Sequence, residues 1–396
     1  MPKDVTRKIK PEVVRELWAR AAGRCEFNGC NRIVYKTAVT QERVNISEQA
    51  HIYSFSENGP RGWGPFTKNT KELNSISNLM LMCHDCHKTI DQDIKGEHYS
   101  AKLLLDWKTQ HEQRVELVTG ICPNKRSHVI IYGAKIGEEK APLQFCDAVE
   151  AMFPDWYPAE ERAITLSMSC EHEDKNEEYW KTESANLKKA YERFAVPRID
   201  ENNPCHFSVF ALAPQPLLIQ LGTLLTDKIP VEVYQLHREP KTWKWQEYLS
   251  NFNFTINRPK SFQYPPALII SLSDKISKER IWSVIGEEIS IWELTIENYH
   301  NDFLKSKAQL AVFRETIRKL MIMIKEKHGQ TTPLNIFPAM PVSCAVEFGR
   351  ARMPKADMPW IIYDQNNKLG KFIRTFVIGS EEYESISEER NLKISS

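Results

Sequence analysis

Four cysteines in two couples constrain this chain more than any other feature. Cys25 and Cys30 bracket Glu26-Phe27-Asn28-Gly29, and Cys83 and Cys86 bracket His84-Asp85. Two such couples give one zinc ion four thiolates and staple distant segments into a rigid knuckle. His51, Asn78 and His87 stand around them, so the staple also gives polar side chains a fixed place to sit. An odd total of nine cysteines suits a reducing compartment better than a disulfide framework. Cys122, Cys146, Cys170, Cys205 and Cys344 read as small buried hydrophobes.

At 396 residues the chain is long for one core, and two or three domains are expected. Hydrophobic residues make up 41%, charged ones 27%, and mean hydropathy is −0.47, as in an ordinary soluble protein. No apolar run approaches the roughly 20 residues of a membrane span. The start, Met1 to Lys10, lacks an apolar signal core, so a cytoplasmic protein without membrane contact is expected. The net charge of +1 hides an asymmetry: residues 1–127 carry 20 Lys and Arg against 15 Asp and Glu, and the remainder 33 against 37. A mildly basic first part suits phosphate backbones.

Spacing predicts a helix over Pro11 to Ala22, with Val13, Val14, Leu17 and Trp18 on one side and Pro11 in its first turn. A strand or hairpin arm follows over Val44 to Phe55, then a turn-rich loop at Gly59-Pro60-Arg61-Gly62-Trp63-Gly64-Pro65. Ser77 to Met82 is an apolar run entering the second couple, and a helix over Tyr99 to Val118 closes the unit. The expected domains are 1–120 and 128–396, with a linker at 121–127. In the second domain, strands are expected at Val129–Tyr132, Ile164–Met168, Phe207–Leu212 and Val231–Leu236, with helices at Glu177–Phe194 and Pro214–Leu225. The series then restarts: strands at Ala267–Leu272, Ile289–Leu294, Leu334–Phe337 and Trp360–Tyr363, helices at Asn301–His328 and Pro341–Arg350.

The restart is a repeat. Phe210 to Pro214 leads into a helix containing Gly222, and Phe337 to Pro341 into one containing Gly349, with the same Phe–Pro and Pro–Gly spacings. Each unit then enters a strand with a tyrosine, Tyr234 or Tyr363. Two copies of one α/β unit, roughly 128–260 and 261–396, imply a pseudo-twofold axis.

Phosphodiester cleavage needs a base to activate water, a divalent cation to stabilise charge on phosphate and leaving oxygen, and a rigid scaffold. A neutral histidine is a usable base, and His51 is the candidate. Asn78 is expected to orient its ring, and His87, next to a zinc thiolate, to ligate the catalytic cation. In the order C-x4-C, His, Asn, C-x2-C-His, these residues resemble the HNH endonuclease family over about residues 10–115. The resemblance implies an α+β domain of ββα-metal fold with a zinc knuckle, Mg²⁺ or a similar ion, DNA as substrate, and His87 on the helix after the strand pair. Gly59-Pro60-Arg61-Gly62 resembles a loop of one HNH branch, with Arg61 a candidate phosphate contact. Ala50 stands where many HNH enzymes have a metal ligand; Glu48, Asp91 and substrate oxygens are alternatives, with Asp91 favoured, one helical turn after His87.

In open α/β sheets, ligands bind beyond the strand C-termini, often at helix N-termini. Both repeats offer such a turn, and Gln235 to Trp245 interleaves cations and indoles just past a strand end, suiting phosphates and bases. Residues 210–218, Gln235 to Trp245, Phe337 to Ser343, and Gly349 to Lys355 through Tyr363-Asp364 resemble the SAVED domain, two fused CARF-like, Rossmann-like units that sense cyclic oligonucleotides. HNH followed by SAVED resembles the nuclease effectors of the CBASS anti-phage systems. The resemblance implies a cyclic di- or oligonucleotide activator, homo-oligomerisation on activation, and non-specific degradation of double-stranded DNA. By chemistry, Arg238, Lys244 and Lys355 are expected on phosphates, Trp243 and Tyr363 on bases, and Gln215 and Ser343 on polar edges, with Gln235 and Pro341 beside them. Two other functions compete. In one, a restriction-like endonuclease carries a C-terminal DNA-recognition domain, against which the acidic balance there counts. In the other, the knuckle binds DNA without cutting it.

Overall fold

The computed structural model describes residues 8–133, 143–167, 177–199, 205–247, 253–366 and 369–379. The chain divides into two compact units, Met1–Cys122 and Pro123–Ser396. Arg126 and Ser127, given to the linker by the sequence, already belong to the first strand of the second unit.

The first unit opens with α1 (Pro11–Arg20), which buries Leu17. Gly23 turns the chain at φ 64°, and a Cβ there would stand 3.0 Å from the Tyr35 ring, so glycine is required on two counts. Strand β1 (Ser47–His51) runs antiparallel to β2 (Leu79–Cys83), pairing Ser47 with Cys83 and His51 with Leu79. Every residue of β2 is buried. Its other edge is closed by Glu26, whose N–H donates to the Leu81 carbonyl at 2.9 Å and whose carboxylate accepts the Leu81 N–H. Helix α2 (His84–Gln92) follows β2 directly. Helix α3 (Ala101–Thr119) is capped by the Ser100 hydroxyl, which accepts from the Leu103 N–H. Leu17, Met80, Leu81, Ile90 and Leu104 form the core.

The described residues of the second unit form two sheets. The first contains β3 (Arg126–Gly133), β4 (Tyr157–Pro158), β5 (Ile164–Thr165), β6 (Phe207–Leu212) and β7 (Val231–Val233), in the order β4-β3-β6-β7 with β5 also on β3. All of these pairings are parallel. Helices α4 (Phe145–Met152), α5 (Glu177–Ala190) and α6 (Gln215–Leu225) accompany it. The second contains β8 (Thr255–Asn257), β9 (Pro266–Ser271), β10 (Ser290–Thr295), β11 (Leu334–Ala339), β12 (Trp360–Asn366) and β13 (Lys371–Ile378), in the order β13-β12-β11-β9-β10-β8. Its helices are α7 (Lys278–Ile285), α8 (Lys307–His328) and α9 (Val342–Arg350). Strands β12, β11, β9 and β10 are parallel, and both edges antiparallel.

One shared core takes Ile130, Val209, Leu268 and Ile336 from the sheets and Leu218, Leu221, Val346 and Phe348 from α6 and α9. Side chains of opposite parity, Val129 and Phe210 or Ile269 and Phe337, pack on the outer faces, as strand alternation demands. Helix α8 starts at Lys307 rather than Asn301, because Ser306 and Gln309 form a reciprocal capping box. Helix α5 ends at Ala190, and a π-turn takes Tyr191–Ala195. The expected strand to Met168 ends at Thr165, and Met168 and Cys170 lie outside the described residues. Cys122 and Cys146 are exposed, not buried hydrophobes.

The repeat is a packing rule. Phe210 stacks on Tyr234 at 4.4 Å and 14°, and Phe337 on Tyr363 at 4.4 Å and 15°. Trp243 meets Phe210 edge-on, and Phe372 meets Phe337 in the same way. Where α6 crosses α9, a Cβ on Gly222 would lie 2.0 Å from the Val346 carbonyl oxygen, and one on Gly349 2.0 Å from that of Ile219. The two glycines let the backbones touch. Alanine in a helix interior normally gains up to about 1 kcal/mol over glycine. Here Gly222→Ala is expected to cost roughly 1–3 kcal/mol, because a backbone carbonyl cannot yield as a side chain can. Urea unfolding of the full chain measures it; an unchanged or raised midpoint would refute the crossing.

Candidate functional site

The knuckle comes together from the loop after α1 and the β2–α2 junction. The Sγ atoms of Cys25, Cys30, Cys83 and Cys86 all lie within 4.8 Å of one another, and Cys30 Sγ is 3.9 Å from Cys83 Sγ. Tetrahedral zinc with about 2.3 Å bonds sets its sulfurs about 3.8 Å apart, so the cluster fits that ion. Burial, reinforced by the neighbouring thiols, pushes Cys25 up to about 12 and also raises Cys86. Four thiolates packed this closely repel one another, and a cation among them offsets that repulsion.

His51 ends β1 with its ring half-buried. Its Nε2 is 2.9 Å from Asn74 Oδ1. With that oxygen as acceptor, Nε2 carries the proton and Nδ1 the lone pair. The orienting partner is therefore Asn74, not Asn78. Asn78 is buried, and its amide is consumed by backbone: Oδ1 accepts from Tyr53 N–H, and Nδ2 donates to the Tyr53 and Leu73 carbonyls. It holds the loop that delivers Asn74. Burial lowers the His51 pKa, and His87 adds to this, while Asn74 and Asp91 oppose it.

On α2, His87 Nε2 lies 3.3 Å from Asp91 Oδ2. Two cis ligands of an octahedral cation with bonds of about 2.1 Å stand about 3 Å apart, so this pair fits a divalent ion. Glu48 shares the Ala50 face of β1, opposite that of His51, and its carboxylate meets His84 at 3.4 Å.

Arg61 does not face phosphate. Its side chain is 3% exposed, with Nε donating to the Ile52 carbonyl, Nη1 to Ile90 at 2.9 Å and Nη2 to His51 at 3.5 Å. Nη2 also stands 3.8 Å from Asp91 Oδ1. Burial lowers its pKa, against the pull of Asp91 and Asp93. The guanidinium thus ties the end of β1 to α2, fixing His51 relative to the His87–Asp91 pair.

In the second unit, a cleft of 670 Å³ opens between the N-termini of α6 and α9, beyond the ends of β6, β9 and β11. Gln215, Gln235, Arg238 and Pro341 line it, and so do Lys241 and Asp274, to which the sequence assigned no role. Gln215 donates to the Met340 carbonyl at 2.6 Å, and Gln235 Oε1 accepts from Ser343 Oγ at 2.8 Å. Both glutamines stitch one repeat to the other. Three of the expected ligand residues are core instead: Trp243 and Tyr363 are buried in the aromatic stacks, and Ser343 is buried under Gln235. Lys244 is exposed outside the cleft, and Lys355 follows the far end of α9. Sequence alternation could not foresee that Trp245 is half-buried as well, edge-on against His237.

A family model described as an HNH endonuclease matches residues 26–93. A second, the SMODS-associated and fused to various effectors sensor domain (SAVED), matches residues 187–378. The chain is an HNH–SAVED fusion. The HNH match contains three of the four knuckle cysteines (Cys25 stands one residue before it), His51, Asn74 and the His87–Asp91 pair, and the SAVED match contains the cleft. No curated protein matches the chain. Among solved structures, it is similar to the Acinetobacter baumannii Cap4 SAVED/CARF-domain containing receptor with the cyclic trinucleotide 2'3'3'-cAAA, at 12% identity and TM-score 0.42, covering 79% of this chain and 67% of that one. The Moraxella osloensis Cap4 receptor is similar at 10% identity and TM-score 0.37, covering 78% and 68%. No helix among the described residues is long and apolar enough to cross a membrane.

Proposed function

We propose that the chain is a cytoplasmic nuclease effector of a CBASS anti-phage system, held idle until a cyclic oligonucleotide occupies the SAVED cleft. The observation that carries this is one chain holding both a His51–Asn74 dyad beside a cation-fitting His87–Asp91 pair and a phosphate-suited cleft at paired helix N-termini. In the cutting unit, His51 Nδ1 takes a proton from water as it attacks the phosphorus of double-stranded DNA, and Asn74 holds the tautomer. Mg²⁺ or a similar ion on His87 and Asp91 would supply charge stabilisation at the scissile phosphate and leaving oxygen. Zn²⁺ on the four cysteines would hold the scaffold.

In the cleft, the positive dipole ends of α6 and α9 and the cations of Arg238 and Lys241 suit the phosphates. The cleft is of the size that takes small ligands, about 300–1,000 Å³. A ligand switches activity only through its differential affinity for the active arrangement. Assembly of chains on ligand binding, pairing cutting units to break both strands without sequence preference, is a sufficient gate.

The test is a thermal-shift panel of cyclic di- and trinucleotides, including 2'3'3' and 3'3'3' cyclic triadenylates, on the full chain. A ligand at 100 times its Kd stabilises by about 2.7 kcal/mol, a readily measured shift. Sizing and plasmid digestion then follow with the best binder and Mg²⁺. The expected result is a larger species and a smear of fragments only when the messenger is present. Discrete bands without messenger would mean a restriction-like enzyme, and no shift with any ligand would end the sensor assignment.

A further inference from the structure

Arg238 and Lys241, the lining cations among the described residues, sit on a short hairpin, closed where His237 N–H donates to the Thr242 carbonyl at 2.8 Å. At its tip Arg238 and Lys241 are exposed. The support comes from the other repeat. Asp302 Oδ1 accepts from the Arg238 N–H at 3.2 Å, and Oδ2 from the Glu239 N–H at 3.4 Å. Lys305 binds the same carboxylate and donates to the Glu239 carbonyl at 3.3 Å.

This strap is itself anchored. Lys305 N–H donates to Gln309 Oε1 at 2.7 Å within the α8 capping box, and the Lys305 carbonyl accepts from Gln246 N–H at 3.0 Å. Beneath the hairpin, His237 is fully buried, its Nδ1 3.9 Å from Asp302 Oδ1. Neither His237 nitrogen has a hydrogen-bond partner among the described residues. A buried imidazole left so is held by packing against Trp245 and by the fixed hairpin.

We propose that Asp302 is a positioning residue for the messenger, holding the Arg238–Lys241 hairpin over the cleft so that its cations are ordered before ligand arrives. The assignment rests on the messenger function proposed above. A pre-ordered loop does not lose its freedom on binding, and affinity rises accordingly. Asp302 touches no ligand atom in this scheme. It acts through two backbone N–H groups, and this separates it from Arg238, which acts through charge.

The test uses the full chain and the cyclic nucleotide that shifts its melting most in the panel. Asp302→Ala is expected to weaken that ligand about 10- to 100-fold while leaving the salt dependence of affinity unchanged. Arg238→Gln is expected to reduce the salt dependence, because a phosphate contact is lost. Asp302→Asn, which keeps one acceptor, should fall between wild type and alanine. Hydrogen exchange without ligand should show faster exchange of the Arg238 and Glu239 amides in Asp302→Ala, with α8 still protected. Unchanged exchange, unchanged affinity, or a salt dependence reduced as far as in Arg238→Gln would overturn the assignment while leaving the messenger function standing. If no cyclic nucleotide binds the wild-type chain, both fall together.

Discussion

His51→Ala abolishes most cleavage of duplex DNA by the activated chain, with an expected loss of about 10²- to 10⁴-fold, the usual worth of a positioned general base. Zinc content and ligand-induced melting shifts are expected to stay at wild-type values. The ring contributes nothing to the knuckle, and among the described residues its short polar contact is to Asn74. The pH profile gives the same prediction a second edge. Burial holds the His51 imidazole below its ordinary value of about 6.5, so the neutral, proton-accepting form persists into mild acid. The acid limb of the wild-type profile should therefore lie below pH 6.5, and cleavage is lost as pH falls through it. Asn74→Ala removes the contact that raises this pKa and fixes the tautomer. The limb then moves further down and the plateau rate falls. Initial rates of plasmid linearisation with saturating messenger and Mg²⁺ measure all three chains. A His51→Ala chain that still cuts at a tenth of the wild-type rate or more would remove His51 as the base.

The division between what was legible in the sequence and what was not follows from range. The cysteine couples were readable because the knuckle writes itself as spacing, and the repeat because the α6–α9 crossing tolerates only glycine at Gly222 and Gly349. Each is a local constraint repeated in one dimension. Asn78 was assigned a role that belongs to Asn74. Both precede β2, and only the fold of the short turns at Thr70–Asn74 and Ile76–Asn78 aims one amide at the ring and the other into backbone. Arg61 read as a phosphate contact because arginine is normally exposed. Three carbonyls at the end of β1 and on α2 claim it instead.

The aromatic residues misled for a related reason. Trp243 stands between Lys241 and Lys244 in sequence and Tyr363 beside Asp364, but each closes a stack under its own sheet. The cleft is lined from five separated segments, around Leu212, Gln235, Ser273, Asn301 and Met340, and no spacing links them. Short elements were also missed. Helices α4 and α7 have eight residues each, and β4 has two, too few for a period to show. Strand β13, eight residues at a sheet edge, was missed as well, although five of its residues are apolar.

Cys83→Ser should remove the metal and unfold the first unit while the second keeps its own transition. Cys83 sits where β2 becomes α2, so its bond to zinc would lock strand, helix and the loop of Cys25 and Cys30 in one contact. Structural zinc is worth roughly 10–16 kcal/mol in small zinc-dependent folds at neutral pH, whereas a whole domain is stable by only about 5–15 kcal/mol. The core of Leu17, Leu81, Ile90 and Leu104 is then insufficient alone. His51 and Asn74 would lose their mutual geometry, since β1 is held by β2. Acid should imitate the substitution, because protons compete for each thiolate and the ion is released as pH falls. Metal analysis of the purified chain and calorimetry of both forms decide the matter. Wild type should bind one zinc and melt in two steps, and Cys83→Ser should bind none and keep only the transition of residues 123–396. A wild-type chain free of zinc, or a Cys83→Ser chain with both transitions intact, would show that the four thiols pack without a metal and that the cutting unit stands on its hydrophobic core.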